Sequence, residues 1–194
     1  MLESFHELKK QYHFNFHLKE GVIYLLTGEN GVGKSTFFDF LLLELLDKSV
    51  NFSLMPQESL TPLISRRVKD ILRIFEEKNK GRIISSLAED LGDLLEGLGL
   101  KERGINDLSG GENQLLKIYL ALYWEADLYC FDEPEQFLDE KHRNLFFSFL
   151  TVLMREKKKI IIITHRTFQY EIFQCKRLMM EKKESIRSIS EIPL

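Results

Sequence analysis

The stretch Gly28-Glu29-Asn30-Gly31-Val32-Gly33-Lys34-Ser35-Thr36 restricts the fold more than any other part of this chain. It has the spacing G-x-x-x-x-G-K-S/T and lies between an apolar run, Val22 to Leu26, and a long apolar segment starting at Phe37. A strand running into such a loop and then into a helix is the context in which this spacing cradles phosphate. The glycines at 28, 31 and 33 permit backbone conformations that a Cβ obstructs. Successive N–H groups, among them those of Glu29, Asn30 and Val32, then point inward around anionic oxygens, and the helix N-terminus adds partial positive charge. Lys34 reaches the β- and γ-phosphates, the Ser35 hydroxyl ligates Mg²⁺, and Thr36 adds a donor toward the α-phosphate.

Leu128-Tyr129-Cys130-Phe131-Asp132-Glu133 is an apolar run ending in two acids. A short, continuously apolar run suits a strand buried on both faces of a parallel sheet. Acids at its carboxyl end emerge where open α/β sheets bind ligands. Asp132 is placed to hold Mg²⁺, directly or through water, and Glu133 to accept a proton from an attacking water. Ile160-Ile161-Ile162-Ile163-Thr164-His165 is another buried-strand run with a polar residue at its end.

A further segment, Leu108-Ser109-Gly110-Gly111-Glu112, joins the glycine-rich loop in a resemblance to ATP-binding-cassette (ABC) ATPases that covers nearly all 194 residues. The resemblance implies an α/β phosphate-loop NTPase fold: an ABC-type ATPase core with a mainly parallel sheet, a reduced antiparallel β subdomain and an inserted helical subdomain. It makes His165 the switch histidine that contacts the γ-phosphate. Gln57, in Leu54-Met55-Pro56-Gln57, resembles the glutamine that touches Mg²⁺ and the attacking water. The catalytic set is then Glu133, His165 and Gln57, and the metal set Ser35, Gln57 and Asp132. In the family, the signature of one subunit (here Ser109, Gly110 and Gly111) caps the γ-phosphate bound by its partner, and Asp139 matches a contact of that dimer. A hydroxyl and N–H groups at a helix N-terminus are suitable donors for an anion. For the aromatic that stacks on adenine, Phe5 has about the right distance from Lys34, and Tyr12 competes with it.

The sequence departs from the family pattern at three places. Only Phe37 to Pro56 separate the loop from Gln57, shorter than in transporter members, so part of the antiparallel subdomain is expected to be trimmed. The signature carries Glu112 where many transporters have Gln, as soluble members of the family do. Glu135-Gln136-Phe137 replaces the more usual small residues beside the dimer contact.

Composition and patterning agree with one ABC ATPase domain over 1–194, with a helical subdomain at about 58–107. The chain is 44% apolar, ordinary for a globular protein of this length. Its net charge of −3 gives no electrostatic argument for nucleic acid, and two cysteines do not make a disulfide framework. Met1 to His6 lacks the basic start and apolar stretch of a signal peptide. The longest apolar run, Phe37 to Leu46, is interrupted by Asp39 and Glu44 and falls short of the ~20 residues of a membrane span, so it reads as a helix packed on the sheet. Tyr12 to Leu18 alternates as a half-exposed strand; His13 and His17 on it stand ~13 Å apart, too far to share an ion. Val68, Ile71, Leu72 and Phe75 form one helical stripe, and Leu87, Leu91, Leu94, Leu95 and Leu98 another. Glu140 to Lys158 reads as a further helix and Lys176 to Ile189 as a short charged hairpin.

The expected function is an ATP-binding and ATP-hydrolysing subunit of an ABC transporter. It would form a head-to-tail homo- or heterodimer with a second ABC ATPase subunit and power a separate transmembrane permease subunit, with no nucleic acid partner. Its place would be cytoplasmic, peripheral on the cytoplasmic face of the membrane. The alternative is a soluble cassette ATPase acting in assembly, translation or repair.

Overall fold

Runs of Ile, Leu, Tyr and Phe too short for helices form the middle of a sheet. The computed structural model describes residues 12–15, 17–47, 50–55, 67–78, 80, 85–183 and 186–193. Its strands are β1 (Tyr12–Asn15), β2 (Ile23–Thr27), β3 (Phe52–Met55), β4 (Leu128–Asp132), β5 (Lys159–Ile163), β6 (Cys175–Lys183) and β7 (Ile186–Ile192). They form one seven-stranded sheet in the order β1-β7-β6-β2-β5-β4-β3. β2 lies between β5 and β6 and is parallel to both, and β4 is parallel to β5. β7 returns antiparallel along β6, with β1 parallel on its outer side.

Contacts gather the chain into two compact units, the first containing residues 1–54, 127–133 and 152–194, the second 55–126 and 134–151. In the first, β2 and β5 are covered on both faces, since Ile23 to Leu26 and Ile160 to Ile163 are all buried. This is the physical sense of their unbroken apolar runs. On one face Tyr24, Leu26, Cys130, Ile161, Ile163 and Leu178 share a core with Phe37, Phe38 and Phe40 of helix α1 (Lys34–Asp47). Each such side chain, fully buried, stabilises the fold by about 1.5–3 kcal/mol, which fastens α1 to the sheet beside β2. The helix begins at Lys34, ahead of the apolar segment read from Phe37, so Lys34 and Ser35 occupy its first turn.

The second unit holds α2 (Val68–Lys78), α3 (Ala88–Gly97), α4 (Gly110–Leu122) and most of α5 (Glu140–Arg155). The predicted stripes are buried at Val68, Ile71, Leu72, Leu87, Leu91 and Leu95. Leu98 differs, being 37% exposed. The helix ends there in a Schellman turn: Gly99, at φ +64°, donates its N–H to Glu96, Leu100 donates to Leu95, and it is Leu100 that is buried. Phe75 of α2 packs against Tyr123 and Trp124 at the end of α4. Tyr123 donates its hydroxyl to Glu76 at 2.8 Å; burial first, then that hydrogen bond, push the phenol up to about 12.

Sequence boundaries shift by a few residues. The first strand ends at Asn15, before the predicted Leu18, and α5 ends at Arg155, before Lys158. The hairpin is longer than predicted, running from Cys175 to Ile192.

Candidate functional site

The phosphate loop leaves β2 at Thr27 and enters α1 at Lys34, as the spacing required. Gly28 has φ +150° and lies so close to β6 that a Cβ would stand 2.5 Å from the Met180 carbonyl oxygen. Gly31, at φ +75°, has open space around it, and there the demand is conformational alone. Lys34 is only 7% exposed. Its Nζ donates to the carbonyls of Gly28 at 2.8 Å and Glu29 at 3.0 Å, so the loop folds around the ammonium. Burial pushes this lysine below its ordinary range, while the carboxylates of Glu133 and Asp132 pull it back up. Arg187 of β7 holds the loop from outside, its Nε donating 2.8 Å to the Val32 carbonyl. Loop residues 28–32 and β6 residues 179–182 line a cleft of about 790 Å³.

The acid-tipped strand ends in the same unit. Asp132 closes β4 and is 3% exposed. Glu133 extends the ladder one step by donating its N–H to Ile163 at 2.9 Å, and then turns into the left-handed region at φ +47°. A glutamate there is strained by ~1–3 kcal/mol, and such strain concentrates at sites where a side chain must be aimed. Beyond β5, Thr164 donates its N–H to Leu26 and accepts from the Arg166 N–H through Oγ1. That turn carries His165, whose Nε2 is 3.5 Å from Glu133 Oε1. Lys34, the pair Asp132 and Glu133, and His165, far apart in sequence, thus gather at the carboxyl ends of adjacent parallel strands. Ser35 and Asp132 offer hydroxyl and carboxylate oxygens, a hard donor set that suits Mg²⁺.

The signature belongs to the second unit. Ser109 is the N-cap of α4 in a reciprocal capping box: its Oγ accepts from the Glu112 N–H at 3.3 Å, and its N–H donates to Glu112 Oε2 at 2.7 Å. The other oxygen of Glu112 takes Arg103 Nη1 at 2.6 Å, and Arg103 also donates to the Asp107 carbonyl. The Ser109 N–H foremost, then the Ser109 hydroxyl and Arg103, hold the Glu112 carboxyl below the usual range against the opposing effect of burial. The departure from Gln at this position therefore has a local use, as a charged cap. Asp139 caps α5, its Oδ1 accepting from the His142 N–H at 2.8 Å, with its side chain 63% exposed.

Gln57 and Phe5 lie outside the described residues. Tyr12 lies in β1, with no side chain described. Sequence reasoning missed Arg103 and Arg187, whose partners are nonlocal or backbone atoms that leave no motif. It also missed the capping role of Glu112, although Ser109-x-x-Glu112 ahead of an apolar run signals it.

Together these features define a phosphate-loop NTPase site. The pattern of the ABC transporter family matches residues 12–136, and the chain belongs to that family, whose domain hydrolyses ATP. It is 28% identical over 170 residues to a "Putative ABC transporter ATP-binding protein" of Clostridium tetani, covering 78% of this chain and 39% of that protein. It is also 30% identical over 176 residues to "Translation initiation factor RLI1" of Saccharomyces cerevisiae, covering 84% of this chain and 28% of that one. Among solved structures, "An inward-facing conformation of a putative metal-chelate type ABC transporter" superposes with a TM-score of 0.67 at 27% identity, over 91% of this chain and 74% of that chain. The chain thus spans well under half the length of those two curated relatives.

Proposed function

We propose that this chain is the ATP-binding and ATP-hydrolysing subunit of an ABC transporter, with residues 58–107 as its inserted helical part. The observation that carries the hydrolytic reading is the gathering of Lys34, Asp132, Glu133 and His165 at one sheet end. The N–H groups of Glu29 to Thr36 and the Lys34 ammonium bind the phosphates. Glu133 takes a proton from the attacking water, and His165 contacts the γ-phosphate. Mg²⁺ neutralises phosphate charge when bound; Ser35 and Asp132 supply its protein oxygens, with Gln57 by family resemblance. The signature residues Ser109, Gly110 and Gly111 cap the ATP of a second subunit, and Asp139 contributes to that contact. ATP then holds the two halves together until hydrolysis removes the bridging phosphate. The relatives named for transport support a membrane partner. No helix among the described residues is long and apolar enough to cross a membrane; in this reading the membrane-spanning part is a permease subunit.

Glu133→Gln tests the mechanism. Removal of a general base lowers turnover by ~10²–10⁴-fold, and the uncleaved ATP should trap a dimer visible by size-exclusion chromatography with ATP and Mg²⁺ but not with ADP. Wild-type turnover in this variant would remove Glu133 as base.

The similarity to translation factor RLI1, with Glu112 in the signature, favours a second reading as a soluble cassette ATPase in assembly, translation or repair. Purification of the tagged chain from detergent-solubilised cells separates the two readings. A polytopic membrane protein as stoichiometric partner supports transport, and recovery with ribosomal subunits supports the alternative.

A further inference from the structure

Phe137 combines two features that a residue serving stability alone would not have. Its backbone is left-handed at φ +62°, a conformation that costs a bulky side chain free energy, and the residue is left 67% exposed. Little burial offsets the strain. Its contacts show where it acts. A Cβ built on Gly110 would stand 3.3 Å from the Phe137 ring, and one on Gly111 would stand 2.9 Å from the Phe137 carbonyl oxygen. Phe137 therefore lies against the two glycines that open α4, which stand in sequence between Ser109 and Glu112 of the capping box. The segment bearing it is anchored to the same helix by Gln114, whose buried Nε2 donates to the Pro134 carbonyl at 3.1 Å. A cavity of about 230 Å³ next to the ring is walled by Ser109, Gly110, Asn113, Lys117 and Gln136. The capping box occupies the N–H groups of Ser109 and Glu112, and Phe137 packs against Gly110 and Gly111. A donor set held in place in this way need not reorganise when charge develops.

We infer that Phe137 is a positioning residue for the signature: its strained, exposed ring fixes the N-terminal turn of α4 in the orientation that receives the phosphate of a partner-bound nucleotide. The inference rests on the reading of Ser109 to Gly111 as a phosphate cap. It assigns to this aromatic a task that the small residues more usual in the family could not perform by packing.

The test compares Phe137→Gly, Phe137→Tyr and Ser109→Arg in the full chain. Glycine relieves the left-handed strain, so F137G should melt at the wild-type temperature or above it. Its ATP affinity as a monomer should stay within about twofold of wild type, because the phosphate loop is a separate site. Amide exchange at Gly110 to Glu112 should speed up, and kcat should fall by about tenfold, in line with the cost of misplacing a positioned group. F137Y should recover most of that loss. A merely structural residue would make turnover follow stability, whereas here the two move apart. F137G with kcat within twofold of wild type overturns the inference. If S109R then still blocks ATP-dependent dimerisation, only the role of Phe137 has failed; if S109R dimerises and turns over normally, the signature reading has failed as well.

Discussion

Gly28→Ala offers the sharpest test of how the phosphate loop is held, because the geometry sets both the size and the origin of the effect. The added methyl would stand 2.5 Å from the Met180 carbonyl oxygen and 3.3 Å from Val32 Cγ1, where ordinary contact begins at 3.4 Å. The obstacle is backbone in a paired strand, with Met179 in register against Thr27, and it cannot rotate away as a side chain could. Overpacking of this kind costs ~1–3 kcal/mol. The backbone conformation at φ +150° adds ~1–3 kcal/mol for a residue with a Cβ. Together about 2–6 kcal/mol must be lost, as stability or as displacement of the loop amides from their productive arrangement. In a chain of this size even the lower figure lowers Tm by about 4–8 °C. Gly31→Ala is the control: nothing lies within 4 Å of its added Cβ, so only the strain of φ +75° remains. Thermal denaturation and nucleotide titration of both variants provide the comparison. If Gly28→Ala keeps its Tm within about 1 °C and its ATP affinity within about twofold of wild type, or does no worse than Gly31→Ala, the close approach of β6 is not what demands glycine here.

Gly92 lies inside α3 with open space around it and no positive φ, so Gly92→Ala should stabilise by ~0.5–1 kcal/mol and raise Tm by about 1–4 °C in a thermal melt. The capping carboxylate of Glu112 has a folded-state pKa depressed chiefly by the Ser109 N–H. Its stabilising contribution is therefore complete above the unfolded carboxylate pKa of about 4.3 and fades as pH falls through the lower folded value. Denaturant titrations from pH 6 downward should show wild type losing an increment of stability that Glu112→Gln does not lose, and parallel curves would count against a charged cap.

The legible parts of this protein are those in which a function needs neighbours in sequence. The phosphate loop is one such part, because a strand end, three glycines, a lysine and a helix start must be contiguous. The carboxyl tips of β4 and β5 are another, since an unbroken apolar run announces a doubly covered strand and its first polar residue marks the edge. Legibility fails where geometry joins distant residues. Nothing near Val32 announces that Arg187 will bind its carbonyl, and nothing near Phe137 announces two glycines 26 or 27 positions earlier. The backbone twist that aims Glu133 is hidden as well, because glutamate has no preference for φ > 0 and only the surrounding ladder imposes it. Leu98 shows the opposite error: helical periodicity continued the stripe past the point where Gly99 reverses the chain.

The order of pairing in the sheet also sets a timetable. β2, which presents the phosphate loop, is made well before its neighbours β5 and β6, since Ile23 pairs with Ile160 and Cys175. The guanidinium that holds the loop at Val32 arrives 155 residues later. At ordinary elongation speeds of ~5–20 residues per second, that is a wait of roughly ten to thirty seconds. During this interval a nascent chain bears a largely apolar strand with both edges unpaired, the kind of segment that recruits chaperones or misassociates. The contacts that hold the phosphate loop against β6 and to Arg187 of β7 can form only once those later strands have been made.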